Sequence, residues 1–289
     1  MTQYKYHLDK SSKKYNCPKC DKNRFVIYVE TETGHYADSQ YGRCDRETSC
    51  GHALYPANNS IINYDYVVPT AAKPSYIDKK ILKKTLTKYE TNPLAVYLYS
   101  NYSEDEVKNT FEKYQVGTSN QFNKSTVFWQ IDHKGKIRSG KIMAYNTSTG
   151  KRLKADDSKP LINWVHSAMN ATNYNLKQCL FSLHLLNDTV KHIAIVESEK
   201  TALIMSIEFP QHTWISTGSL QGFKYEYLTP LKSSNIIAFP DKGGYRKWQE
   251  TATVLNKEGF KIEVSKLLEK TEYKDDWDLV DVIQYENIK

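Results

Sequence analysis

The sequence predicts an α/β protein, α+β overall, in three parts: a small cysteine-held ribbon, a basic α+β region and a mainly parallel α/β sheet. Three observations predict it. Two cysteine pairs, Cys17/Cys20 and Cys44/Cys50, flank a short hairpin pattern. Lysine and arginine outnumber aspartate and glutamate 17 to 10 over residues 61–160, then fall behind, 14 to 16, over residues 161–289. Past residue 190 short apolar runs alternate with helical ones, the rhythm of βα units packed into one parallel sheet. The chain of 289 residues is long enough for more than one core. The expected divisions are a ribbon over 1–58, a linker over 59–75, a basic subdomain over 76–189 and the α/β sheet over 190–289.

The ribbon comes first. Residues 24–30 read as a strand, Thr33-Gly34 as a turn and residues 36–43 as a returning strand, so both cysteine pairs lie at the open end of a hairpin. The chain has no run of eighteen apolar residues, and its first residues carry no apolar signal core. A cytoplasmic protein without a membrane partner is therefore expected. In a reducing compartment clustered cysteines serve as metal ligands or catalysts rather than disulfides. Cys17, Cys20, Cys44 and Cys50 then complete a four-thiolate set, the closed arrangement of structural zinc. The five residues between Cys44 and Cys50 exceed the usual spacing of roughly two to four, which makes His52 the alternative fourth ligand. Cys179 lies in an apolar run, 176–183, read as a helix that buries it.

In the middle region residues 76–89 form a lysine-rich helix pattern, and Ser103-Glu-Asp-Glu106 is a capping box opening a second helix to about Tyr114. Residues 125–132 and 137–145 read as two strands joined by a turn. Along this hairpin and the turn after it recur Lys134, Lys136, Arg138, Lys141, Lys151, Arg152 and Lys154, with Trp129 and Tyr145 nearby. Cations for phosphates and aromatic platforms for bases point to nucleic-acid contact. A solvated basic face is the plain alternative.

The last part runs strand 192–197, helix 200–208, strand 212–216, helix 223–231, strand 235–239, helix 245–257 and strand 260–265. Ligands of such sheets gather at the carboxyl ends of strands, which is where Glu197 and Asp241 fall. Asp276, Asp278 and Asp281 add carboxylates close to the end of the chain. Converging oxygens suit Mg²⁺ or Mn²⁺. Taken singly, each acid reads equally as a helix cap or first-turn charge.

Val196-Glu-Ser-Glu-Lys-Thr-Ala202, Thr217-Gly-Ser219 and Phe239-Pro-Asp241, in this order, resemble the toprim domain of bacterial-type primases, topoisomerases and some nucleases. The resemblance implies catalytic or metal-binding roles for Glu197 and Asp241, and a nucleotide-phosphate loop of Thr217, Gly218 and Ser219 with Lys200. The second aspartate of the family's Asp-x-Asp pair falls on Gly243, a departure from the pattern. Upstream, residues 128–141 resemble the basic strand pair that precedes toprim in primases, residues 178–184 the joining helix, and the cysteine ribbon their zinc module. The chain looks closest to compact zinc-ribbon and toprim proteins carried on mobile elements of Bacteroides-type bacteria. It implies a primase making short primers on single-stranded DNA or RNA from nucleoside triphosphates, with a helicase or replication protein as partner. Lys19, Lys22, Arg24, Arg43 and Arg46 become the ribbon's template contacts. Gly243 motivates a second expectation, a non-catalytic single-strand-binding replication or mobilisation factor. A metal-dependent nuclease is the third.

Overall fold

Strands β1 (Tyr6–Leu8), β2 (Tyr15–Asn16), β3 (Asn23–Glu30), β4 (Gly42–Cys44) and β5 (Ala53–Leu54) form one antiparallel sheet with β3 as its spine. This computed structural model describes residues 4–11, 13–46, 49–56, 73–155, 159–187 and 192–288. The return strand is shorter than the sequence pattern implies. Tyr36 makes a single bridge to Val29, and the Tyr41 N–H closes a turn on the Asp38 carbonyl before the ladder resumes at Gly42. Gly42 is required there, since a Cβ would stand 2.3 Å from the Val26 carbonyl oxygen. Phe25 and Ile27 pack with Cys17, Cys44 and Cys50 as the core of this unit. So few apolar side chains do not hold a domain of this size without a staple. The chain divides into two compact units at Ala71/Ala72. Most of the expected linker, residues 59–72, lies outside the described residues.

The second unit opens with α1 (Lys79–Thr85), α2 (Pro93–Leu98) and α3 (Glu104–Lys113). The expected capping box is formed: the Ser103 hydroxyl accepts from the Glu106 N–H, and Glu106 reaches back to the Ser103 N–H. Helix α2 begins at Pro93 behind Asn92, whose fully buried amide accepts from the N–H groups of Leu94 and Ala95 and donates to the Gly117 carbonyl.

An antiparallel meander follows: β6 (Val116–Ser119), β7 (Ser125–Ile131), β8 (Ile137–Met143) and β9 (Ile162–Trp164), the last running into α4 (Val165–Ala168). Both faces of this sheet are covered. Val127, Trp129, Ile137 and Ile142 pack with Ile77 and Leu82, while Val116, Phe128 and Met143 join the core around α3. All seven residues of β7 are buried. Trp129 is therefore not a base platform: it is wholly buried and donates its indole N–H to the Thr85 hydroxyl at 3.0 Å. Tyr145 is buried as well.

The remaining elements are β10 (His192–Val196), α5 (Glu199–Glu208), β11 (Thr213–Ser216), α6 (Tyr225–Leu228), β12 (Asn235–Phe239), α7 (Tyr245–Lys257), β13 (Lys261–Val264) and α8 (Leu279–Ile288). The four strands are all parallel, in the order β11-β10-β12-β13. Alternation along β10 explains how both faces are covered. Ala194 and Val196 meet α5, and Ile193 and Ile195 share a core with Trp248, Ala252 and Leu255 of α7. Trp248 stacks on Phe223 at 4.3 Å and donates to the Leu220 carbonyl. Trp248→Ala is expected to cost about 3–5 kcal/mol in urea unfolding, the range for deleting a large buried aromatic.

One expected placement changes. Residues 176–183 are not a helix: Phe181 bridges to Ser216 at the edge of the parallel sheet, and Ser182 turns the chain with φ +66° while its hydroxyl donates to the Trp214 carbonyl. Edge pairing overrides the apolar run's helical period there. Asp276, Asp278 and Asp281 lie on no strand end; they precede or begin α8. No helix among the described residues is long and apolar enough to cross a membrane.

Candidate functional site

The four ribbon thiolates meet at one point. Cys17 and Cys50 Sγ atoms are 3.7 Å apart, Cys20 and Cys44 are 4.0 Å apart, and all four lie within 4.8 Å of one another. An edge near 3.8 Å is what a tetrahedron with zinc–sulfur bonds of about 2.3 Å requires. Backbone N–H groups two residues on serve the sulfurs: that of Lys22 holds the Cys20 thiol down to about 7, and those of Arg46 and His52 face Cys44 and Cys50. Burial pushes the Cys44 thiol up to about 11, a group waiting for a cation. The donor set fits structural zinc, which this ribbon binds. His52 is not a ligand. Its ring stacks on Phe25 at 5.6 Å, outside the quartet. Lys19, Lys22, Arg24, Arg43 and Arg46 are exposed on this unit, and Lys19 donates to the Cys50 carbonyl.

In the parallel sheet β10 is followed by β11 on one side, and the chain then crosses to β12 on the other. The crevice between the ends of β10 and β12 is therefore the topological switch point, where ligands of open α/β sheets bind. Glu197 follows β10 and Asp241 follows β12, which are in register at Val196 and Phe239. The Asp241 N–H donates to Glu197 Oε1 at 3.3 Å. Burial pushes the Glu197 carboxyl up to about 7, helped by Asp276 and opposed by the Asp241 N–H and Lys247. Burial, then Glu197, Asp278 and Asp281, push Asp241 up to about 8 against the pull of Arg152. Burial and mutual repulsion outweigh the nearby cations at both acids.

The three later aspartates differ in what they have free. Asp278 is saturated: Oδ1 accepts from the N–H groups of Val280 and Asp281, and Oδ2 from the Thr201 hydroxyl. It caps α8. Asp281 returns one oxygen, Oδ2, to the Asp278 N–H. Asp276 is exposed, with φ +64°. Among the described residues no three carboxylates converge as the cysteines do.

Two residues past Glu197, after the same strand, the sequence reading missed a residue. Glu199, 4% exposed at the start of α5, accepts from Lys141 Nζ through both oxygens at 3.1 and 3.2 Å. Lys141 also donates to the Gly218 carbonyl at 3.2 Å. Gly218 has φ +75°, and a Cβ on it would stand 3.3 Å from Glu199. Thr217 ties this loop down by donating to the Ser219 carbonyl. Glu199 stands in the quoted motif, but its partner is 58 residues away in the chain.

The predicted cations do not make one basic face. Arg138 is held by Asp132 at 2.7 Å and lies over Tyr76, and Lys141 is held by Glu199. Lys134, Lys136, Lys151, Arg152 and Lys154 are exposed. Of these, Arg152 acts on Asp241, while Lys151 acts on Asp281 together with Lys200. Lys200 also reaches the Gly150 carbonyl.

A family model described as a domain of unknown function, DUF6371, matches residues 92–242, more than half of the chain. The chain belongs to the DUF6371 family. A zinc beta-ribbon finger model matches residues 4–64. No curated protein matches. Among solved structures the chain is similar to the primase fragment of the bacteriophage T7 primase-helicase protein, at 16% identity over 96% of this chain and 97% of that one, with a TM-score of 0.45. It is similar to the zinc-binding and RNA polymerase domains of the Aquifex aeolicus primase, at 12% identity over 98% and 79%, TM-score 0.41. It is also similar to the DnaG primase catalytic domain bound to single-stranded DNA, at 10% identity over 72% and 73%, TM-score 0.41.

The DUF6371 segment takes in Lys141, Glu197, Glu199, Gly218 and Asp241 and stops before the aspartates that lead into α8. Within it the Lys141–Glu199 pair is the most exposed to mutation in energetic terms. Glu199→Gln leaves a buried ammonium without its counter-charge, an expected loss of about 3–5 kcal/mol in urea unfolding. Combining it with Lys141→Met should recover most of that loss, because no charge is then stranded.

Proposed function

We propose that this protein is a metal-dependent nucleotidyltransferase of primase type, joining nucleoside triphosphates into short oligonucleotides on a single-stranded DNA template during replication or transfer of a mobile element. One observation carries the reading: Glu197 and Asp241, both half-buried and both raised well above ordinary carboxylate values, follow neighbouring strands at the switch point of a parallel sheet and are joined through the Asp241 N–H, with Arg152, Lys151 and Lys200 close by. Nucleotidyl transfer needs this combination. A divalent cation held by Glu197 and Asp241 would neutralise a triphosphate's charge and polarise the phosphorus under attack.

The chain's own residues supply the rest. A 3′-hydroxyl oxygen forms the new bond to the α-phosphorus, the bond to the bridging oxygen breaks, and pyrophosphate leaves. With Glu197 and Asp241 engaged by the cation, the hydroxyl proton passes to solvent. Arg152 and Lys151 contact the phosphates, and the ribbon's exposed cations hold the template.

Gly243 favours a second reading, a single-strand-binding factor without catalysis. It is exposed and brings no carboxylate of its own, and its N–H donates to Glu269 Oε1. The two readings part in one experiment. Single-stranded DNA, labelled nucleoside triphosphates and Mg²⁺ or Mn²⁺ should give short oligonucleotides with the full chain and none with Glu197→Gln. Salt-sensitive DNA binding with no product across templates supports the binding factor instead, and metal-dependent shortening of the template supports a nuclease.

A further inference from the structure

Beside the Lys141–Glu199 pair, at the same edge of the sheet as Glu197 but one strand over, lies a cavity of about 360 Å³. Its walls include Gln130, Trp164, Gln178, Gly218, Lys224 and Tyr227. Trp164 and Tyr227 are half-buried aromatic walls, and Lys224 sits 4.3 Å over the Tyr227 ring. The Tyr227 hydroxyl donates to Gln178. Gln130 decides the matter. Its side chain is nine-tenths buried on β7, and its carbonyl oxygen has no hydrogen-bond partner. A buried orphan acceptor costs about 1–3 kcal/mol, and the residue that carries it lines the cavity.

We infer that this cavity is a nucleobase pocket, in which the Gln130 amide reads an N–H-bearing edge of a base and the aromatic walls flank its faces. The pairing is chemically apt. A primary amide carries a donor and an acceptor side by side, the pattern that meets an amino group next to a ring nitrogen. Aromatic rings add base stacking worth about 1–3 kcal/mol. The cavity volume is that of a small-ligand site, and Lys224 supplies positive charge for a phosphate. The ligand class rests on the function proposed above, while the place rests on the cavity and the orphaned oxygen alone.

The test uses the full zinc-loaded chain in the Glu197→Gln background, so that binding is read without synthesis. Tryptophan fluorescence is titrated with ATP, GTP, CTP and UTP, and separately with short single-stranded DNA. At least one ligand should quench the emission, and the quench should vanish in Trp164→Phe. Gln130→Leu should weaken that ligand at least tenfold while its urea midpoint stays level or rises, because the orphaned acceptor is gone. Weakening for nucleotides alone marks a substrate-base pocket; weakening for DNA alone marks a template-base pocket. No quench with any ligand, or binding of every ligand unchanged in Gln130→Leu, overturns the inference and leaves the oxygen to a bound water. Gln130-dependent binding by a chain that makes no oligonucleotide would retain the pocket while the synthetic reading fails. Synthesis without dependence on Gln130 would do the reverse.

Discussion

Replacing Cys17 and Cys20 together by serine should abolish zinc content and unfold the ribbon while the second unit stays folded. Zinc binding by four thiolates contributes on the order of 10–16 kcal/mol at neutral pH, whereas the small core around Phe25 and Ile27 supplies a few. The loss therefore exceeds everything else holding β1 to β5. Elemental analysis reads the zinc, and amide hydrogen exchange reads the two units separately. Protection should vanish along β3 and β4 and persist along β10 and β12. Protected β3 amides in zinc-free protein would contradict the staple. Single-stranded DNA binding should weaken in the same variant, since Lys19, Lys22, Arg24, Arg43 and Arg46 lose their fixed placement.

Asp241→Asn should move stability and activity in opposite directions. Asp241 titrates near 8 in the folded chain against an ordinary value of 3.8. Between those values the unfolded chain has released its proton and the folded chain keeps it, so the folded state loses stability as pH rises from about 4 to 8. Asparagine removes that loss. The variant should be more stable than the natural chain at pH 8 and level with it at pH 4, read by urea unfolding at both. Oligonucleotide synthesis should be lost. Equal stability at pH 8 would mean that the acids are not crowded as described.

Legibility in the sequence followed how local each signal is. The cysteine pairs, the Ser103–Glu106 capping box and the strand-end positions of Glu197 and Asp241 depend on neighbours along the chain or on βα rhythm, and each is visible without coordinates. Helix α2 had its signal, an Asn cap before Pro93, but only six residues to carry it. Trp129 misled because β7 is covered on both faces, and nothing in an apolar strand says which face meets solvent. Cys50 and His52 are separable only by the stacking of His52 on Phe25. The Lys141–Glu199 pair was hidden by sequence distance, and it makes one of the supposed nucleic-acid cations an internal counter-ion. Asp278, a candidate metal ligand in the sequence, caps α8, which shows only in the N–H groups it accepts from.

The central claim is that Glu197 and Asp241 form a divalent-cation site, and manganese electron paramagnetic resonance measures it without reference to any product. In zinc-loaded full chain, free Mn²⁺ signal should fall on titration, with affinity rising between pH 6 and pH 8 as the two raised carboxyls lose their protons. Glu197→Gln and Asp241→Asn should each weaken it at least tenfold. Manganese affinity that is flat with pH and unchanged in both variants would contradict the site.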